Sequence, residues 1–375
     1  MTQIGPQKKK SYFDSSQAVR SGEQEDIKHK DAVAFVCQWV VNHQIEWSIS
    51  LLVVIQLWNY AVGGESALVQ LQYKIPDDPQ GRYTRGWRDT CFIAHWAVIF
   101  TMLRAVTMYR VLEPFARWYG VRSNRKVTRF GEQGWLTIYY ILSNAAGVYV
   151  MYNSPHWLNS KGFWIEYPEG HKQMTMLMKL YYLVQMGFWF QQIFVILIEE
   201  KRKDFAAMLA HHIITCNLLG WSLYMNYTRV GNAVLCCMDS SDIFLSGTKC
   251  IRYLGFVRGT VFSFVLFILS WVFTRHYLYL KIMFSIMYES TSILNYNMWD
   301  PGNGSFYNYY VVVAFTMLLG LLQLLIIYWF SLVLRILYRV AFFGNYDDSR
   351  SDSEDDGNAK TKLANTVSVS KAKVE

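Results

Sequence analysis

Apolar stretches of about 20 residues recur along the chain between short polar segments, and each is long enough to cross a bilayer as a helix. They fall near 48–69, 91–112, 134–153, 180–198, 206–226, 231–250, 259–280 and 309–334. The first and sixth are less apolar than the rest. The pattern predicts an all-α polytopic membrane protein with about eight transmembrane helices. Ahead of the first window, residues 31–47 place Val33, Phe35, Val36, Trp39 and Val40 among polar residues, which predicts an interfacial helix. Residues 1–30 are polar and charged, so disorder and no cleavable signal peptide are expected there.

Composition agrees with this reading. With 53% hydrophobic and only 17% charged residues, the chain is too apolar for a soluble domain of its size. Its net charge of +8 does not point to nucleic acid, because the basic residues sit in loops where topology explains them. Arg110, Arg117, Arg122, Arg125, Lys126 and Arg129 follow the second window. Lys201, Arg202 and Lys203 follow the fourth, Arg252 and Arg258 the sixth, and Arg335 and Arg339 close the last. These alternate loops share one side, which the positive-inside rule makes cytosolic, together with both termini. Lys74, Arg82, Arg85 and Arg88 in the loop 70–90 run against the rule. Two N-x-S/T sequons, at Asn226 and Asn303, fall on the opposite side. Asn226 is expected to lie too close to the membrane for modification, which leaves Asn303 as the glycosylation candidate. The six cysteines form no CxxC pair and are expected to pack as small hydrophobes.

Polar residues inside the windows carry the functional signal. An aspartate at mid-membrane costs about 2.5–3.5 kcal/mol on insertion scales, so such groups need a purpose or a partner. The fifth window begins with His211-His212, and the sixth contains Asp239 and Asp242. At helical spacing His211, Thr215 and Ser222 share one face, with His212 turned about 100° away. Asp239, Asp242, Ser246 and Lys249 form a second stripe, and Tyr181, Gln185, Gln192 and Glu199 a third. Lipid does not tolerate three such faces, so six or seven helices are expected to enclose a central cavity that they line. Counting about 1.5 Å per residue from the basic side puts His211 about 9 Å in, Asp242 about 12 Å and Asp239 about 16 Å. The four groups therefore meet at similar depth, within reach of a water-soluble donor. Arg104 is either a structural partner for a carboxylate or a substrate contact.

A histidine held by a carboxylate serves as general base or nucleophile. No G-x-S-x-G or H-E-x-x-H motif is present, and one adjacent pair among eight histidines is too few for His-rich iron boxes. No metal is expected. Interhelical hydrogen bonding alone, worth about 0.6–2 kcal/mol, is the competing account of the buried His and Asp residues.

The stretch from Lys201 to Gly255 contains Lys-Arg-Lys-Asp-Phe, His-His-Ile-Ile-Thr, Asn-Tyr-Thr-Arg-Val-Gly and Met-Asp-Ser-Ser-Asp-Ile-Phe-Leu, then Lys249 and Tyr253. It resembles the signature of ceramide synthases, the longevity-assurance branch of the TLC-domain proteins. Phe130-Gly-Glu132-Gln-Gly-Trp135, with Tyr139, resembles the opening of the same domain. The resemblance covers 129–340 and is of the fungal type, since no homeobox-like insert separates the first two windows. It divides the chain into a tail with interfacial helix (1–47), two helices and a basic loop (48–128), the TLC catalytic domain (129–340) and an acidic tail (341–375).

The resemblance implies transfer of a long or very-long acyl chain from acyl-CoA to the amine of a sphingoid base, dihydrosphingosine or phytosphingosine. Acyl-CoA is then a co-substrate and no cofactor is bound. His211 is expected as nucleophile or base and His212 as the second imidazole. Asp239 and Asp242 are expected to hold the imidazoles and help deprotonate the amine. An acyl-imidazole intermediate and direct attack both remain open. Tyr181, Gln185, Gln192, Thr215, Ser222, Ser246, Lys249 and Arg104 are the expected cavity-lining residues. The loop 281–308, with Met283, Met287, Tyr288 and Trp299, is expected to cap the acyl channel. The resemblance also implies a homo- or heterodimer with a paralogue and a small single-pass accessory subunit. Lys371 and Lys373 resemble a dilysine signal, which places the chain in the endoplasmic reticulum membrane. Ser349, Ser351 and Ser353 each precede an acidic residue by three positions and are candidates for an acid-directed kinase. The alternative is a non-catalytic TLC-domain protein, translocation-associated or lipid-binding.

Overall fold

The computed structural model describes residues 35–199, 204–296 and 298–343. Lys201, Arg202, Lys203, Ser349, Ser351, Ser353, Lys371, Lys373 and the tail 1–34 lie outside the described residues.

The chain is mostly helical. A short helix α1 (Phe35–Asn42) turns by 72° into α2 (Gln44–Ala61). Within the described residues the element expected at 31–47 ends at Asn42, and residues 44–47 belong to α2. Helix α2 also stops eight residues before its window does. Gly63 and Gly64 follow with φ of 77° and 84°, a left-handed conformation that glycine adopts freely and that ends a helix. Next come α3 (Asp89–Trp118), α4 (Asn124–Tyr152), α5 (Met176–Ile198), α6 (Phe205–Tyr224), α7 (Thr228–Tyr253), α8 (Val257–Ile293) and α9 (Tyr309–Phe343). Thr175 caps α5, its Oγ1 accepting from the Met178 amide. Among the described residues four helices, α3, α5, α8 and α9, are long and apolar enough to cross a membrane, and the bent pair α1–α2 adds a fifth. This is a multi-pass membrane protein.

Seven helices pack as a closed ring in the order α3, α4, α7, α8, α9, α6, α5, with α2 outside against α3. Contacts of α4 with α5 and of α6 with α7 pinch the ring, so its interior is divided. One apolar core, with Phe100, Tyr139 and Phe188, fills the α3–α4–α5 side. Another, with Phe267, Trp271, Phe315 and Leu322, fills the α7–α8–α9 side.

The ends of the ring differ. The end with Arg117, Arg122 and Arg129 is the basic end. At the opposite end the segment 62–88 is tied down by Lys179. Its Nζ donates to the Gln72 and Thr84 carbonyls at 2.8 and 2.7 Å and pairs with Asp89 Oδ1 at 2.8 Å. Arg82 pairs with Asp78 at 2.7 Å. Arg85 donates to the Asn226 side-chain oxygen and lies over the Tyr224 and Phe306 rings. These two arginines, which ran against the orientation rule, are thus engaged in holding the loop.

The segment 281–308 differs from expectation. Its first part continues α8 as helix to Ile293, and a short hairpin pairs β1 (Trp299–Asp300) with β2 (Ser305–Phe306). Met287, Tyr288 and Trp299 are exposed, so they face away from the interior, whereas Met283 is half-buried against the α7–α8–α9 core. Ile286 and Tyr307 face inward instead.

Candidate functional site

Helix α6 turns two adjacent imidazoles toward two separate cavities. Consecutive residues differ by about 100° around a helix, enough to address different neighbours. The first cavity, ≈ 710 Å³ of atom-free space open to its surroundings, lies toward the basic end among α3, α4, α5 and α6. Arg104, Glu132, Gln192, Glu199 and His212 give it a polar lining. The second, ≈ 640 Å³ of atom-free space on the same measure, lies among α5, α6, α7, α8 and α9. Its head carries Trp189, His211, Thr215, Asp242 and Arg275, and its depth is walled by Leu219, Val234, Leu235, Leu319 and Leu322.

His212 is buried, and its Nδ1 is 2.7 Å from the Met208 carbonyl oxygen, which fixes Nδ1 as the protonated nitrogen and leaves Nε2 as the basic one. His211 is held by ring contacts. Its imidazole stands edge-on to Trp189, His212 and Trp329, with centroids 5.4, 5.3 and 5.3 Å away. Its Nδ1 is buried without a hydrogen-bond partner among the described residues. Thr215 Oγ1, Trp189 Nε1 and Arg275 Nε are in the same condition. Four polar atoms without partners therefore surround the head of one apolar cavity. Buried polar groups are nearly always hydrogen-bonded, so this cluster marks a place for a polar ligand group.

The aspartates also part company. Asp242 pairs with Arg275, Oδ2 to Nη2 at 2.7 Å. Arg275 lies in a π-helical segment of α8, donates to the Met238 carbonyl at 3.1 Å and stacks on Trp271. Such local widening of a helix is common at functional sites. Asp239 faces α4 and α5. Its Oδ2 accepts from Ser143 Oγ at 2.7 Å and Gln185 Nε2 at 3.1 Å, while Oδ1 has no partner among the described residues. Gln185 also accepts from Tyr139 and donates to Tyr181 at 3.3 Å.

The expectation that the aspartates hold the imidazoles is corrected by this geometry. Among the described residues no hydrogen bond joins either histidine to either aspartate. Asp239 and Asp242 sit three residues apart, about 60° around the helix, and that is enough for one to meet α4 and α5 and the other α8.

The remaining candidates divide similarly. His211, Thr215 and Ser222 line the second cavity, with Ser222 hydrogen-bonded to Tyr182. Gln192 and Glu199 line the first. Arg104 lines it too, donating to Glu199 and to Gln44 Oε1 at 3.3 Å. Tyr181 and Gln185 belong to the Asp239 network. Ser246 bonds back to the Asp242 carbonyl at 2.7 Å, and neither it nor Lys249 lines either cavity. Asn226 is buried and donates to the Gly304 carbonyl at 2.9 Å, whereas Asn303 is exposed and donates to Asp300 at 2.6 Å. No cluster of three or more His, Cys, Asp or Glu placed to hold a metal occurs among the described residues.

Arg275 was missed in the sequence although its signal was there, a guanidinium inside the window 259–280. Ser143 and Trp189 carry no sequence signal of their own, because only the fold sets them against Asp239 and the imidazoles.

Residues 129–335 match the TLC domain model. The chain is 41% identical to sphingosine N-acyltransferase lag1 of Schizosaccharomyces pombe, over 76% of this chain and 72% of that one. It is 37% identical to the sphingosine N-acyltransferase-like protein ALT7 of Alternaria alternata, over 86% and 78%. Ceramide synthase LAG1 of Saccharomyces cerevisiae is 32% identical over 86% and 80%. The chain belongs to the TLC-domain family, in its ceramide synthase branch.

Proposed function

We propose that this chain is a ceramide synthase that joins a long acyl chain, delivered as acyl-CoA, to the amine of a sphingoid base. The observation that carries the reading is the group of buried polar atoms that lack partners among the described residues, His211 Nδ1, Thr215 Oγ1, Trp189 Nε1 and Arg275 Nε, at the head of an apolar cavity. A fatty thioester has this shape: a polar carbonyl on an alkyl tail. The tail enters the second cavity, where each buried CH₂ contributes about 0.8 kcal/mol. The carbonyl stops beside His211, with Arg275 and Trp189 supplying N–H donors for the oxygen that gains charge.

The amine nitrogen attacks the carbonyl carbon. The new C–N bond forms as the C–S bond breaks. The proton lost by nitrogen passes through imidazole to the departing thiolate of CoA. In the direct route His211 is the general base. In the two-step route an imidazole nitrogen of His211 first takes the acyl group and releases CoA thiol, and the amine then displaces the imidazole. His212, facing the polar first cavity, orients the acceptor and relays its proton. Asp242 acts through Arg275, and Asp239 fixes the α4–α5–α7 junction beside it.

In this reading all eight long helices cross the endoplasmic reticulum membrane, the basic end and both termini face the cytosol, and the first cavity is the entrance. By resemblance it extends to a dimer with a paralogue and a small single-pass subunit. The test is mass spectrometry of lipids from cells that lack the endogenous activity and express this chain. Restored N-acylated sphingoid bases are expected. Their absence from cells that contain the folded protein favours a non-catalytic lipid-binding role.

A further inference from the structure

A smaller, narrow pocket, ≈ 270 Å³ of atom-free space including what opens onto it, lies beyond the second cavity, toward the opposite end of the ring. The two spaces share Tyr227, Val230 and Phe315. Below that line the walls are Trp164, Ile286, Tyr307, Val311 and Val312. Tyr227 is fixed in place. Its hydroxyl donates to the Phe306 carbonyl at 3.2 Å, and its ring stacks on Tyr167 and meets Trp164 edge-on. Phe315 closes against it, edge to face, with centroids 5.3 Å apart. No polar contact fixes that ring, so the partition consists of one anchored aromatic and one held by packing alone.

We infer that the Tyr227–Phe315 pair is the floor that sets the longest acyl chain the enzyme accepts. The inference rests on the reading of the second cavity as the acyl site. Between His211 and Ser222 the cavity follows α6 for about 16 Å, at 1.5 Å per residue. The void beneath Phe315 extends along α9 to Val311, about 6 Å more. Its walls are apolar apart from the Trp164 indole and the Tyr307 hydroxyl, which already donate to Ser285 or bond Ser290. Added length is thus paid back as methylene burial, and the partition alone stands in its way.

The experiment supplies the purified protein with a sphingoid base and an equimolar ladder of acyl-CoAs of increasing length, and reads the chain lengths of the amides. Phe315→Ala joins the two spaces, and the ratio of longer to wild-type product is expected to rise about tenfold, the effect of roughly two newly buried methylenes. Adding Val311→Phe to that variant refills the void and should reverse the shift. Val230→Phe narrows the floor from the other side and should move the products to shorter chains. If Phe315→Ala yields no folded protein, the direction of the Val230→Phe shift decides. A product profile unchanged in every folded, active variant overturns the inference while leaving the acyltransferase reading intact. Failure of the wild-type protein to form any amide overturns that reading itself.

Discussion

Arg275 and Asp242 form an ion pair, Nη2 to Oδ2 at 2.7 Å, with both side chains largely withdrawn from solvent at the head of the His211 cavity. Removing one member of such a pair leaves the other charge buried and uncompensated, at about 3–5 kcal/mol. Arg275→Met is therefore expected to lower the detergent-solubilised melting temperature sharply. The double variant Asp242→Asn with Arg275→Met should recover most of that stability without recovering activity. A double variant as unstable as the single one would show that the pair is not the cause.

Trp189 touches both imidazoles and brings an indole N–H without a partner to the same cavity. Trp189→Phe keeps an aromatic ring and deletes the donor. If that N–H stabilises charge on the carbonyl oxygen, kcat falls by about 10²-fold with KM for acyl-CoA little changed. A variant that raises KM and leaves kcat alone would restrict Trp189 to packing.

Ser143 donates one of the two hydrogen bonds to Asp239. Ser143→Ala leaves that carboxylate with Gln185 alone, which costs about 1–3 kcal/mol for a buried group. A melting temperature equal to that of wild type would show that Asp239 does not depend on this contact.

His156 and His171 lie in the segment between α4 and α5, and burial pushes each down to about 4 from the ordinary 6.5. Between pH 6.5 and about 4 the unfolded chain binds protons that the folded chain refuses. Stability is therefore full above pH 6.5 and is lost as pH falls through that window, by on the order of 3 kcal/mol per histidine at the acid limit. Melting measured against pH should show this acid limb, and His156→Gln with His171→Gln should flatten it. An unaltered limb in that variant would assign the loss to other groups.

Much of the architecture was legible in the sequence because apolar helices announce themselves locally. Each of the eight windows overlaps a long helix, although among the described residues only four of these, or five with the bent α1–α2 pair, are apolar enough to cross a membrane, and the stripe of His211, Thr215 and Ser222 could be read from periodicity alone. Where the reading fell short, the cause was tertiary. The α2 window ran through the glycine pair that ends the helix, since apolarity alone does not register φ. Helix α8 runs thirteen residues past its window, because Ser285 and Ser290 satisfy their hydroxyls on the Ser160 and Ile286 carbonyls and stay buried in a helix. Shared depth predicts that the two histidines and two aspartates meet. Depth does not give azimuth, and a 60° difference sent Asp239 to Ser143 and Asp242 to Arg275.

The central claim, that His211 at the head of the apolar cavity carries out acyl transfer, is tested most directly by amide formation from acyl-CoA and sphingoid base with purified wild-type and His211→Ala proteins of matched melting temperature. The account predicts steady amide formation by the wild type and a loss of about 10²- to 10⁴-fold in the variant. A His211→Ala protein that forms the amide at the wild-type rate would contradict it.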